Sequence, residues 1–259
     1  MTENILLRND ADGIATLTLN RPEARNALSV ALLTALEEEI ERLRADRSVK
    51  VVVVAGNGPG FCAGHDLKEM RANPGRQAYE ALFAQCARVM TGIVRLPQPV
   101  IARVHGVAAA AGCQLVASCD LAVASSAARF AVNGINIGLF CSTPMVALSR
   151  NVGRKKAMEM LLTGEMLSAE DAEKVGLVNR VVAPEALDEA VSTLASTIAG
   201  KLGAAVAIGK EAFYRQAELG LDEAYRYTAE VMTRNMLLRE TEAGIDAFIA
   251  KRPMPWAKP

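Results

Sequence analysis

Four consecutive valines, Val51 to Val54, narrow most sharply what this chain can become. Successive strand side chains point to opposite faces of a sheet. A β-branched run without alternation therefore belongs to a strand covered on both sides. Before it lies an amphipathic segment from about Ser29 to Ala45, where Leu33, Leu36, Ile40 and Leu43 recur at helical spacing. Glu37 to Glu39, Glu41 and Arg42 take its wet side. After the valines, Gly56-Asn-Gly-Pro-Gly60 forces a loop. A second helix is predicted over Arg76 to Val94, stopped by Leu96-Pro-Gln-Pro99, and Val100 to Val104 reads as the next strand. Strand, loop, helix and strand at this spacing predict an α/β core with largely parallel pairing.

The flanks fit that core. Ile5 to Arg8 and Ile14 to Leu19 read as a hairpin around the loop Asn9 to Gly13, and Val178 to Val182 as a last strand. Ser168-Ala-Glu-Asp171 has the form of a capping box with Asp in the acidic position, and Pro184 suits the first turn of a further helix. Beyond about Gly200 the pattern is helical, with breaks expected at Gly200 to Gly203 and at Gly220. The chain thus divides into an α/β core over 1–199 and a helical region over 200–259. The second is too short for a core of its own and is expected to pack on the first or on a neighbouring copy.

Composition removes whole classes of function. Lys and Arg number 29 and so do Asp and Glu, so no excess charge attracts nucleic acid or an anionic membrane. No apolar run approaches the roughly 18 residues needed to span a bilayer. Glu3 stands where a secretory leader carries basic residues. The five cysteines form no CxxC pair, and His65 and His105 are the only histidines, which disfavours a disulfide framework and a metal site. These features together predict a cytoplasmic protein that needs no metal.

The Gly56–Gly64 loop follows a strand, so a dinucleotide site has to be weighed. Phe61 stands where the third glycine of GxGxxG belongs, and no GK[ST] occurs, so the pattern fails. The run Phe61-Cys-Ala-Gly-His-Asp-Leu-Lys-Glu-Met70 instead resembles the oxyanion loop of the crotonase (enoyl-CoA hydratase/isomerase) superfamily. Leu19-Asn-Arg-Pro22 with Asn26-Ala-Leu28 resembles that family's CoA loop. Gln98-Pro-Val-Ile101, His105-Gly106, Ala110-Ala-Gly-Cys-Gln114 and Cys119-Asp120 resemble its second oxyanion segment. Ala247-Phe-Ile-Ala-Lys-Arg252 resembles its closing helix.

The resemblance implies a spiral of ββα units whose C-terminal helices build a trimer or a dimer of trimers. It implies an acyl- or enoyl-CoA ligand, with coenzyme A entering as part of the substrate and no separate cofactor. It also implies two backbone N–H groups, of His65 and Ala111, that stabilise an enolate-like anion at the thioester carbonyl. Glu23, Ala24, Arg25, Ala63, Gly64, Asp66, Leu67 and Gly112 match the CoA and acyl contacts. Phe248 and Lys251 match the residues that reach the nucleotide from a neighbouring subunit.

One departure governs the chemistry. The family's hydratases hold water between two glutamates, and those positions fall here at Gln114 and Gly134. An amide cannot take a proton at neutral pH, so hydration by a pair of acids is not expected. Proton transfer would fall to the His65 side chain or to Ser142, which reads more simply as the N-cap of the next helix. Isomerisation, decarboxylation or thioester cleavage stays open, as does a non-catalytic acyl-CoA-binding or assembly role. A serine-hydrolase reading fails, because Gly106 to Gly112 offers no nucleophile.

Overall fold

The computed structural model describes residues 4–256. Glu3, used in the leader argument, and residues 257–259 of the helical region lie outside them. The chain opens with β1 (Leu6–Ala11) and β2 (Ile14–Leu19), an antiparallel pair with Leu6 opposite Leu19 and Ala11 opposite Ile14. The connecting loop is shorter than expected. Asn9, Asp10 and Ala11 pair with β2, and only Asp12 and Gly13, with φ of 52° and 79°, make the turn. A two-residue turn with both φ positive matches the strand twist, which lets the polar residues continue on an edge strand.

Next come α1 (Val30–Ala45), β3 (Val51–Gly56), β4 (Gly60–Cys62), α2 (Leu67–Ala72), α3 (Arg76–Val94), β5 (Val100–Val104), β6 (Val107–Ala109) and α4 (Ala111–Ser118). They are followed by β7 (Leu121–Ser125), β8 (Arg129–Ala131), α5 (Pro144–Asn151), α6 (Arg154–Thr163), β9 (Leu167–Ser168), α7 (Ala169–Lys174), β10 (Arg180–Val182) and α8 (Leu187–Ala199). The chain ends with α9 (Gly203–Gln216), α10 (Leu221–Met236) and α11 (Arg239–Ile249). The last strand is shorter than the sequence pattern suggested, because Val178 N bonds back to Ala172 O in the turn after α7, and the Asn179 side chain, accepting from Ala122 N at 2.8 Å, takes the place of a ladder carbonyl. The break between α10 and α11 at Leu237-Leu238 carries no glycine or proline and was not expected.

Among the described residues ten strands form two sheets. The larger has the order β1-β2-β3-β5-β7-β10 and is parallel apart from β1. The smaller has the order β4-β6-β8-β9, with β4, β6 and β8 parallel. The valine run is covered on both faces, as its composition demands. Val51 and Val53 pack with Ile101, Val123 and the α8 residues Leu187, Val191 and Ala195. Val52 and Val54 turn the other way, into the main core with Leu17, Leu33, Leu36 and Phe61.

Helix α1 starts where its Ser29 cap predicts, with the hydroxyl accepting from Leu32 N at 3.2 Å. Its expected wet side needs one correction. Glu39 is buried, and its carboxylate lies 2.7 Å from both Arg8 and Arg42, so the charge is compensated under β1 rather than solvated.

Candidate functional site

Three loops leave the carboxyl ends of β2, β4 and β6 and converge. At the first, a 3-10 turn over Pro22–Ala24 ends in two consecutive left-handed residues, Arg25 (φ 50°) and Asn26 (φ 56°). Asn26 explains why the chain tolerates this. It is wholly buried, its Oδ1 accepts from Arg21 N at 2.9 Å, and its Nδ2 donates to the carbonyls of Asn57 and Gly60 at 2.8 and 2.9 Å. The amide of Ala63 donates to Arg25 O at 3.0 Å, and Leu28 N donates to Gly64 O at 2.7 Å. Arg21 bridges the same two loops through Asp66 Oδ2 at 2.9 Å. Sequence reasoning quoted Asn26 only as part of a motif and gave Arg21 no role. An Asn beside a residue that must turn left-handed was the available signal.

Asp66 caps α2 by accepting from Lys68 N and Glu69 N, both at 3.2 Å. Burial opposes its ionisation, but Arg21 and these two amides outweigh it and hold its carboxyl below the usual range. Its oxygens are thus committed to the scaffold. Glu23 and Arg25 are exposed on the neighbouring turn with Ala24 half-buried between them, and Ala63 and Leu67 are exposed at the edges of the Gly64–Asp66 segment.

The third loop brings β6 into α4. Ala110 has φ 47° and ψ −115°, a conformation that costs an alanine of order 1–3 kcal/mol and sets the direction of the following peptide. A Cβ on Gly112 would lie 2.1 Å from Cys62 O, and one on Gly64 would lie 3.2 Å from Ala111 N. Only glycines allow the Cys62–His65 loop to sit this close to the start of α4. Among the described residues neither His65 N–H nor Ala111 N–H meets a protein acceptor. In the parallel bridge to Leu28, Gly64 O and Asp66 N face Leu28, so the His65 amide points the other way. Ala111 N–H is the first free donor of α4.

The side chains around these donors are polar without a formal charge. The His65 ring stands edge-on to Phe83, with centroids 5.6 Å apart, and among the described residues neither buried ring nitrogen makes a well-formed hydrogen bond. Burial pushes this imidazole below its ordinary value, so it is neutral at pH 7. Gln114 lies one turn into α4, buried, its side-chain oxygen without a partner. Burial likewise pushes the Cys113 thiol up to about 12 and raises that of Cys141.

Gly134 belongs to a 3-10 turn over Asn133–Ile137, and its surroundings add something the sequence hid. A Cβ there would lie 2.3 Å from Leu139 O and 2.9 Å from Cys141 Sγ. The position is therefore closed to any side chain as the loop stands. Ser142 is exposed, and its hydroxyl lies 3.4 Å from Phe140 O. It does not cap α5. Thr143 occupies the cap position and makes no side-chain cap bond: its own backbone is already helical, and Met145 N and Val146 N donate to the carbonyls of Cys141 and Thr143 instead.

Phe248 and Lys251 stand apart from the three loops, at the end of α11. Phe248 is largely exposed and lines a cleft of about 490 Å³ with Leu202, Val206, Ile245 and Trp256. Lys251 follows in a left-handed turn with φ 52°.

Two largely parallel sheets, with glycine-spaced loops meeting at the start of α4, define a crotonase-type α/β protein. The family model for enoyl-CoA hydratase/isomerase matches residues 9–259. A mitochondrial enoyl-CoA hydratase domain-containing protein 3 from Rattus norvegicus is 46% identical over 246 residues, covering 95% of this chain and 82% of that protein. A crystal structure of an enoyl-CoA hydratase from Mycobacterium smegmatis is 60% identical with a TM-score of 0.97, covering 98% of this chain and 99% of that one. The human enoyl-CoA hydratase domain-containing protein 3 is 44% identical with a TM-score of 0.95, covering 98% of this chain and 100% of that one. The chain belongs to the enoyl-CoA hydratase/isomerase family.

One expectation is overturned by these matches. The similar proteins from Rattus norvegicus, Xenopus laevis and Homo sapiens are mitochondrial, which contradicts the cytoplasmic reading. Unpaired thiols argue against an oxidising compartment and say nothing about which reducing one is occupied.

Proposed function

We propose that this protein binds an acyl- or enoyl-CoA thioester and holds the enolate-like form of its carbonyl between the amides of His65 and Ala111. The observation that carries the reading is the pair of unpartnered N–H groups, brought together by Gly64 and Gly112 at the start of α4. Donors fixed before the ligand arrives stabilise developing negative charge without reorganising, and the helix terminus adds its partial positive charge. Glu23, Ala24 and Arg25 flank the CoA chain, with Ala63, Leu67 and the Asp66-fixed loop opposite. Coenzyme A arrives with the substrate, and no other group is required.

Hydration by a pair of acids is not part of this function. Gln114 is an amide, and Gly134 has no room for a carboxylate. The neutral His65 imidazole is the group suited to move a proton, whereas exposed Ser142 has no partner that would activate it. The closed Gly134 position also favours a second reading, an acyl-CoA binder without turnover. Copies of the chain assemble as a trimer or a dimer of trimers through the 200–259 region, with Phe248 and Lys251 reaching the CoA nucleotide of a neighbour.

Calorimetry with crotonyl-CoA, beside loss of its enone absorbance, tests the reading. Binding without hydration is expected. Rapid hydration by the wild type, or no binding of any CoA thioester, would overturn it.

A further inference from the structure

Arg21 sends its two terminal nitrogens to opposite sides of one bridge. Nη1 donates to Ala27 O and Nη2 to Asp66 Oδ2, the latter at 2.9 Å. Between those anchors runs the parallel bridge of Leu28 with His65, where Leu28 N donates to Gly64 O at 2.7 Å and Asp66 N to Leu28 O at 3.3 Å. The guanidinium thus grips the residue before Leu28 and the residue after His65. Asp66 divides its carboxylate to match. Its Oδ1 accepts from Lys68 N and Glu69 N in the first turn of α2, and its Oδ2 is left for Arg21. The two side chains are only 19% and 15% exposed, so water competes weakly for the pair.

We infer that Arg21 is a positioning residue for the thioester carbonyl, its fork fixing the direction of the His65 N–H by holding Asp66 against Ala27. This deepens the proposed function and rests on it. The bridge alone hangs the His65 segment on two backbone bonds, one of them long at 3.3 Å. A donor aimed at developing charge helps only while its aim holds, and a peptide free to swing loses part of that gain to reorganisation. A guanidinium is planar, with its donors in a fixed fork, so it can set the spacing of two acceptors. An ammonium on a flexible stem cannot. The CoA turn does not share this dependence. Asn26 holds it through Arg21 N, Asn57 O and Gly60 O, none of which uses the Arg21 side chain. Loss of the guanidinium should therefore separate carbonyl polarisation from coenzyme A binding.

The test reads the carbonyl stretch of bound butyryl-CoA by isotope-edited infrared spectroscopy, beside calorimetry with coenzyme A, which lacks the carbonyl. Hydrogen bonds to the carbonyl oxygen lower the stretch, so it is expected to fall when the thioester binds the wild type. In Arg21→Met that fall is expected to shrink to about half, with coenzyme A affinity within about threefold of the wild type. Arg21→Lys is expected to match Arg21→Met. Asp66→Ser keeps a cap for α2 but is too short to reach Arg21, so it should show the same loss, and the double variant no further one. An undiminished fall in either single variant, full recovery in Arg21→Lys, additive losses in the double variant, or coenzyme A affinity that collapses with the shift would overturn the inference. A wild type that binds butyryl-CoA with no change in its stretch would instead remove the oxyanion reading, and the inference with it. If Arg21→Met does not fold, Asp66→Ser decides.

Discussion

Gly134 makes the absence of an acid a matter of space as well as sequence. Adding only a methyl group there drives Cβ to 2.3 Å from the Leu139 carbonyl, so Gly134→Ala is expected to cost about 1–3 kcal/mol in urea unfolding. Gln114→Glu with Gly134→Glu is expected to lose stability without gaining crotonyl-CoA hydration, since the loop must move before the carboxylate can be placed. Unchanged stability in Gly134→Ala would show that the loop yields freely. Ala110 is the converse case, because its φ of 47° with ψ of −115° suits glycine. Relief of strain should exceed the unfolded-state entropy that glycine adds, so Ala110→Gly is expected to gain about 1 kcal/mol. His65 links the site to pH. Its folded pKa lies below the unfolded 6.5, so its contribution to stability is full above that value and is lost as pH falls through the folded one. Stability measured between pH 7.5 and 5.5 should fall less steeply in His65→Gln than in the wild type. Parallel slopes would remove the assignment.

At the scale of elements, one buried ion pair ties the helical region to the core. Lys210 on α9 reaches Asp120 Oδ2 at 2.6 Å and the carbonyls of Ile93 and Gln98, while Tyr214 donates to Asp120 Oδ1 at 2.9 Å and Val100 N to its Oδ2. Burial lowers the Lys210 pKa, and Asp120 opposes that shift. Lys210→Met strips the cation and leaves the carboxylate buried, so a loss of about 3–5 kcal/mol is expected in chemical denaturation. A loss below 1 kcal/mol would mean that water reaches Asp120. This clamp also marks the limit of what the sequence could give. Helices α1 and α3 and strands β3 and β5 were legible because local periodicity and breakers define them. The side-chain partners of Asp120 lie 90 and 94 residues away, and no local pattern connects them. The convergence of the Cys62–His65 loop on the start of α4 was legible only through the motif resemblance. That Gly134 is occluded depends on Leu139 folding back over it, which spacing does not encode.

For the whole molecule, the surface of α10 argues for association. Leu221, Tyr225, Met232 and Met236 are all exposed, and their spacing puts them on one stripe along the helix. Phe213 on α9 and Leu237 after α10 add to the apolar surface of this region, and contiguous exposed apolar surface is what marks interaction sites. A trimer predicts a native mass about three times 27.6 kDa by light scattering, or about six times if trimers pair. Tyr225→Asp with Met232→Asp should release monomers, because a charge in a packed apolar interface has no partner. The same experiment tests the composite ligand site. If Phe248 and Lys251 act on a neighbour's CoA, the monomeric variant should bind thioester more weakly although every loop residue is intact. Lys251→Ala should weaken binding at unchanged native mass. Full affinity in the monomer would confine the site to one chain, and the exposed stripe would then serve assembly alone.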